Sequence, residues 1–249
     1  MIINSEDKKF LNFAEKAMKE AIKLYKKTFS KNLKIKSSLG KDIKTSADYE
    51  ISELLIKELR KTNLPVISEE SPQEDLVKKP QDNYWLIDPL DGTFNLERGF
   101  PIAAISIALM HKNIPIAGIV YHIGYDELFV SYKENFIKVS ETNKINQAVV
   151  ATGFPSGRDY SNDSLQATIK NIQNFKKVRM LGSATCMILE VARGIFDVYV
   201  EEDIYLWDVS GALAILKAAG GKYFLKQGSD MWKFNVIASN AKLNIPEFF

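Results

Sequence analysis

Trp85-Leu86-Ile87-Asp88-Pro89-Leu90-Asp91-Gly92-Thr93 carries an apolar run straight into two carboxylates, a proline, a glycine and a threonine. The opening residues read as the end of a β-strand, and the carboxyl ends of strands are where α/β proteins build their sites. Pro89 fixes φ and Gly92 permits a tight turn, so the segment can aim Asp88, Asp91 and a backbone carbonyl such as that of Leu90 at one point. Hard oxygen donors at close quarters suit Mg²⁺. A helical turn opening at Thr93 would bring its hydroxyl and the amides of Gly92 and Thr93 to face a phosphate. Asp-Pro and Asp-Gly are also common turn dipeptides, so other carboxylates must corroborate the reading.

Three such places lie outward from this stretch. A second apolar run over 65–67 leads into Ser68-Glu69-Glu70-Ser71, where paired acids after a strand can be ligands or simply a solvated loop. Asp208 follows Trp207 and opens an apolar helix, and Asp48 sits in the first turn of another helix. Each of these has a bland alternative as a helix cap.

The rest of the chain supplies a frame of alternating elements. Ser5 can cap a helix whose apolar residues, from Phe10 through Met18 to Tyr25, recur at helical spacing. A polar stretch over 31–44 leads to a second helix marked by Ile51, Leu54, Leu55 and Leu59 and ending before Pro65. Strands are expected over 65–67, 84–87, 102–110, 114–121, 128–132 and 136–139. Hairpin loops at 111–113 and 133–135 make this sheet largely antiparallel. From Ala148 the rhythm becomes strand and helix in alternation: strands over 149–152 and 196–200, helices over 161–175, 183–193 and 207–219, with Gly194 and Gly220-Gly221 as stops. With no repeat or long linker, the chain is expected to form one packed unit over 1–249, in halves 1–145 and 146–249.

Composition excludes little but points one way. At 46% hydrophobic, 249 residues can bury a large core. The 33 Lys and Arg nearly balance the 31 Asp and Glu, so there is no electrostatic reason to expect nucleic acid or a membrane as partner. Cys186 is the single cysteine and reads as a small buried hydrophobe. No run approaches the roughly 18 apolar residues of a membrane span. A cytoplasmic protein is expected.

The combination is more specific than its parts. Asp42-Ile-Lys-Thr45-Ser-Ala-Asp48, Ile67-Ser-Glu69-Glu70-Ser71, Trp85-Leu-Ile-Asp88-Pro-Leu-Asp91-Gly-Thr93-Phe-Asn95 and Trp207-Asp208-Val-Ser-Gly-Ala occur in that order. Together they resemble the motifs of the inositol monophosphatases, within the lithium-sensitive phosphatase superfamily. The likeness extends through Gly99-Phe-Pro101, Gly153-Phe-Pro155, Gly182-Ser-Ala184 and Gly220-Gly221, nearly the whole chain. The resemblance implies a layered αβαβα sandwich and a Mg²⁺-dependent phosphomonoesterase, inhibited by Li⁺, acting on a small phosphorylated substrate as a homodimer. It implies that Glu69, Asp88, Asp91, Asp208 and the Leu90 carbonyl ligate metal, and that Glu69 and Thr93 activate water, with Asp48 acting on a third metal through water. It also implies a substrate pocket of Gly92, Thr93, Gly182, Ser183, Ala184, Glu201 and Asp208, with Glu201 accepting hydrogen bonds from a polyol such as inositol monophosphate. Two departures stand out: Lys44 where many relatives have Val, and Ser68 where they have Gly; Lys44 would add positive charge near the site.

Three rivals remain at this level. In a haloacid-dehalogenase-type phosphatase the paired Asp residues lie one residue apart, whereas Pro89 and Leu90 separate them here. A 3′-phosphoadenosine 5′-phosphate phosphatase shares the superfamily and its motifs. A regulatory protein that keeps the fold but binds macromolecules would tolerate loss of the acids, all of which are present.

Overall fold

The computed structural model describes residues 5–30, 35–39, 42–72, 76, 80, 82–132, 137–154 and 160–245. The chain opens with α1 (Ser5–Leu24), which continues into a π-helical segment at Tyr25–Phe29. An antiparallel pair, β1 (Ile35–Leu39) and β2 (Asp42–Thr45), leads to α2 (Ser46–Leu59). The pair falls in the stretch read from sequence only as polar.

The first sheet follows: β3 (Val66–Ser68), β4 (Asn83–Asp91), β5 (Ala104–His111), β6 (Ile114–His122) and β7 (Glu127–Val130), side by side in that order. Only β3 and β4 run parallel; every other pairing is antiparallel, as the hairpin loop at 111–113 implied. A short helix, α3 (Thr93–Glu97), leaves the end of β4. Residues 137–139 are not strand, and the hairpin loop expected at 133–135 and Phe136 lie outside the described residues.

In the second half come β8 (Val149–Thr152), α4 (Asn162–Ile172), β9 (Lys177–Arg179), α5 (Ala184–Ala192), β10 (Val198–Tyr205), α6 (Trp207–Ala218), β11 (Lys222–Gln227) and β12 (Lys233–Ser239). Their sheet has the order β11-β12-β10-β8-β9, parallel from β10 to β9 and antiparallel from β10 to β11. Neither β9 nor the β11–β12 pair is foreseen in the sequence. The strand expected to stop at residue 200 continues to Tyr205.

Side-chain alternation explains the layering. Strand side chains point to opposite faces in turn. In β4, Trp85 and Ile87 join the core under α1 and α2, while Tyr84 and Leu86 face the core containing α5 and α6. In β10, Tyr199 joins that same central core, whereas Val198 and Val200 pack with Phe175 and with Ile172 of α4. The result is a five-layer αβαβα sandwich, as the motifs implied.

One contact fixes how closely α6 sits on the first sheet. A Cβ at Gly118 of β6 would lie 2.0 Å from the Gly211 carbonyl oxygen in α6, and one at Gly211 would lie 2.4 Å from Ser106 Oγ in β5. Only glycine permits that approach. Since α6 carries Asp208 in its first turn, this contact sets where that carboxylate is delivered.

Candidate functional site

The site is assembled from the carboxyl ends of β3 and β4 and the amino ends of α5 and α6. After β3 the backbone is pinned: Ser68 Oγ accepts from Glu70 N–H at 3.2 Å, Ser71 Oγ from Ser68 N–H at 2.9 Å, and Glu69 N–H donates to Ile87 O at 3.1 Å. Ser68, the departure noted above, is thus a turn-forming residue that also meets Ser52 Oγ at 2.8 Å. In β4 the ladder to β5 shifts between Asp88 and Asp91. This irregularity lets Asp88 Oδ1 accept from Leu90 N–H at 2.9 Å. Gly92 adopts φ +89°, and a Cβ there would meet Ile102 O at 2.6 Å, so the turn requires glycine. The Thr93 hydroxyl lies 2.8 Å from both Asp48 Oδ1 and Leu90 O.

From the second half, Ser183 caps α5, accepting from Cys186 N–H at 3.2 Å while its own hydroxyl donates to Asp91 Oδ2 at 2.8 Å. Thr185 N–H donates to the same oxygen at 2.7 Å. The Thr185 hydroxyl donates to the Asp208 carbonyl at 2.6 Å, tying α5 to α6. The N-cap of α6 is Leu206, so Asp208 stands in the first turn of the helix and not at its cap position. Asp48 does fulfil its capping role: Thr45 N–H and Oγ1 donate to its Oδ2 at 2.7 and 2.6 Å.

These residues converge on one cavity of about 440 Å³, lined among others by Glu69, Asp88, Leu90, Asp91, Gly92, Thr93, Gly182, Ser183, Ala184, Glu201 and Asp208. Asp48 is fully buried and does not line the cavity; it stands behind Thr93. Carboxylate oxygens of Glu69, Asp88 and Asp208 lie within 4.8 Å of one another. Asp88 Oδ2 is buried with no hydrogen-bond partner. Burial, and then the charges of Glu69, Asp91 and Asp208, push the Asp88 carboxyl well above its usual range. Burial, then Glu69 and Asp91, does the same to Asp208. Burial pushes Asp91 up only to about 6, because the donors from Ser183 and Thr185 oppose it. Acids so crowded repel one another, and a bound cation would relieve that repulsion.

Glu201 sits inside β10, at an irregularity in its pairing with β12, rather than in a loop after a strand. It is 5% exposed and accepts from Tyr199 OH at 2.7 Å. Sequence reasoning gave no role to several other wall residues, among them Phe154, Asp203, Tyr205 and Lys233. Lys233 meets Asp203 at 3.2 Å because β12 places it opposite Tyr205, a register that no local pattern signals. Asn95 was quoted only within a motif; its Nδ2 donates to Ile102 O at 2.8 Å and Leu181 O at 2.7 Å, joining the two halves beside the cavity.

Over residues 6–248 the sequence matches the model of the inositol monophosphatase family. The chain belongs to that family. It is similar to the fructose-1,6-bisphosphatase/inositol-1-monophosphatase of Aquifex aeolicus, 34% identical over 95% of this chain and 93% of the relative. It is also similar to the Nus factor SuhB of Pasteurella multocida, at 32% identity over 85% and 83%. Among solved structures, the inositol monophosphatase from Anabaena superposes with a TM-score of 0.77 at 26% identity, covering 94% of this chain and 92% of that one. As a member of the inositol monophosphatase family the chain is a metal-dependent hydrolase of phosphate monoesters. No helix among the described residues is long and apolar enough to cross a membrane.

Proposed function

We propose that the protein is a Mg²⁺-dependent phosphatase of a small polyol phosphate such as inositol monophosphate, working in the cytoplasm as a homodimer. The observation that carries the metal assignment is Asp88: a buried carboxylate with an unpartnered oxygen, set among acids whose mutual repulsion a cation would relieve. The donor set is all oxygen, which fits Mg²⁺. Glu69, Asp88, Asp91, Asp208 and the Leu90 carbonyl would hold the metal. Bound there, divalent ions supply charge neutralisation at the phosphate and its leaving oxygen and lower the pKa of water.

The chain's own groups do the positioning. Asp48, by accepting the Thr93 hydroxyl proton, leaves a Thr93 oxygen lone pair to orient a water beside Glu69. This makes Asp48 a support for Thr93 rather than a group acting directly at the cavity. Gly92, Gly182, Ser183 and Ala184 shape the surface for the substrate, and Glu201 is suited to accept hydrogen bonds from polyol hydroxyls. The relative named Nus factor SuhB supports a second reading, a macromolecule-binding role retained beside or instead of turnover.

Purified protein tested against inositol 1-phosphate, fructose 1,6-bisphosphate, 3′-phosphoadenosine 5′-phosphate and a minimal ester lacking hydroxyls decides among these. Turnover is expected to need Mg²⁺, to fall with Li⁺ and to favour the polyol phosphates. Glu201→Gln should cost the polyol about 1 to 3 kcal/mol in kcat/KM and the minimal ester little. Full activity in excess chelator would remove the metal assignment. Preference for the adenosine nucleotide would replace the polyol, and absence of turnover on every ester would leave the regulatory reading.

A further inference from the structure

Lys44 belongs to none of the motif positions assigned a role, yet its side chain lines the cavity. It directly precedes Thr45, whose N–H and hydroxyl are both bonded to Asp48, so its backbone is fixed against the start of α2. The side chain is only 15% exposed. Its ammonium is ion-paired with Glu69 Oε1 and, at 2.7 Å, with Glu70 Oε1. Glu69 is itself one of the three converging carboxylates. The other lysine on the cavity wall, Lys233, is engaged by Asp203 at 3.2 Å, which leaves Lys44 as the wall lysine paired with the cluster.

An ammonium donates up to three hydrogen bonds and carries one fixed positive charge. Between two carboxylates it occupies the position a metal ion could take, supplying half the charge of a divalent ion and being covalently attached. One ammonium and two divalent ions balance the charges of Glu69, Glu70, Asp88, Asp91 and Asp208; with an apolar residue at position 44 those two ions leave one negative charge over, and Glu69 and Glu70 are left with a vacated position between them for a further ion.

Resting on the metal-site reading above, we propose that Lys44 is a resident cation of the site: its ammonium between Glu69 and Glu70 holds the place of a divalent ion and lowers by one the number the protein takes up. Lys44 is then a positioning residue that holds Glu69 in place, and it makes this chain's metal requirement differ from that of the same carboxylate set without a lysine.

The test counts metal and needs no substrate. Metal-depleted wild type, Lys44→Met, Lys44→Gln and Lys44→Arg are titrated with Mn²⁺, free ion being measured by electron paramagnetic resonance, and thermal melts verify folding. Lys44→Met and Lys44→Gln should each bind one more Mn²⁺ per chain than wild type, whereas Lys44→Arg keeps the wild-type number. If Lys44→Met does not fold, Lys44→Gln carries the comparison, since its amide retains a hydrogen bond to a glutamate. Equal or lower counts in the neutral variants overturn the proposal; equal counts with tighter binding would mean that metal displaces Lys44. Failure of the wild type to bind Mn²⁺ at all would instead strike the metal-site reading, and this inference with it.

Discussion

Asp88 and Asp197 are both buried, at 1% and 5% exposure; Asp88 lies in the carboxyl-terminal part of β4 and Asp197 directly before β10. The second sheet satisfies its aspartate fully: Ser140 Oγ donates to Asp197 Oδ1, and Val149 N–H donates to Oδ2 at 2.7 Å. The backbone of Asp197 is bonded as well, to Val149 O and from Asn240 N–H, both at 3.0 Å. The first sheet gives Asp88 one backbone donor, three acidic neighbours and an orphaned oxygen. Burying a carboxylate is tolerable only with partners. Where the partners are internal, the acid staples a strand; where they are withheld, it waits for something from outside.

The contrast can be broken or sharpened by substitution. The largest effect is expected for Asp88→Asn, which should lower kcat/KM on the order of 10⁴-fold or more, the scale for removing a member of a catalytic constellation. The same variant should melt higher than wild type in chelator, because a repelled charge is gone. A metal-free protein destabilised by Asp88→Asn would undo the comparison. Asp197→Ala should do the reverse, costing about 3 to 5 kcal/mol in urea unfolding through two lost bonds to a charged group. It should leave the Mn²⁺ count unchanged, and a lowered count would put Asp197 in the site after all.

His122 is an intermediate case and gives the smallest effect. Its Nδ1 accepts from Tyr125 N–H at 3.2 Å, while the buried Nε2 has no partner. Burial, with Arg193 adding to it, pulls the imidazole from about 6.5 down to about 4. Above pH 6.5 neither the folded nor the unfolded state binds the proton. Between about 6.5 and 4 the unfolded chain takes it up and the folded protein does not, so stability falls as pH falls, by up to about 3 kcal/mol. The carboxylate cluster titrates with the opposite sign. Unfolding of wild type minus His122→Asn across pH 4 to 7 isolates the histidine, and a flat difference would show that its proton affinity is ordinary.

How much of this was readable in the sequence follows from how local each feature is. Asp88 to Thr93 is a continuous stretch whose proline, glycine and acids act on one another directly, and it was legible. So was the hairpin at 111–113, closed by the pairing of His111 with Ile114. β9 is only Lys177-Val178-Arg179, and the apolar run of β11, Tyr223-Phe224-Leu225, is three residues long between lysines and leaves Phe224 56% exposed, so neither stands out as a buried strand. The strand carrying Glu201 looked finished at Val200 because Glu201-Glu202-Asp203 is acidic. It continues because β12 pairs with it and Asp203 takes φ +56°, its carboxylate held by Ser229 N–H at 2.7 Å and by Lys233. The Thr45–Asp48 capping box is local and was within reach of the sequence, which offered the cap reading of Asp48 beside a role on a third metal through water; its bond to Thr93, 45 residues away, was not.

The glycine contact between β6 and α6 bears on tolerance in the machinist's sense. With the Gly118 backbone against the Gly211 carbonyl, and Gly211 in turn against the short Ser106 side chain, little adjustable side chain intervenes between the sheet that carries Asp88 and the helix that carries Asp208. The gap between the two acids is referenced to a hard stop, much as a gauge block sets a jaw.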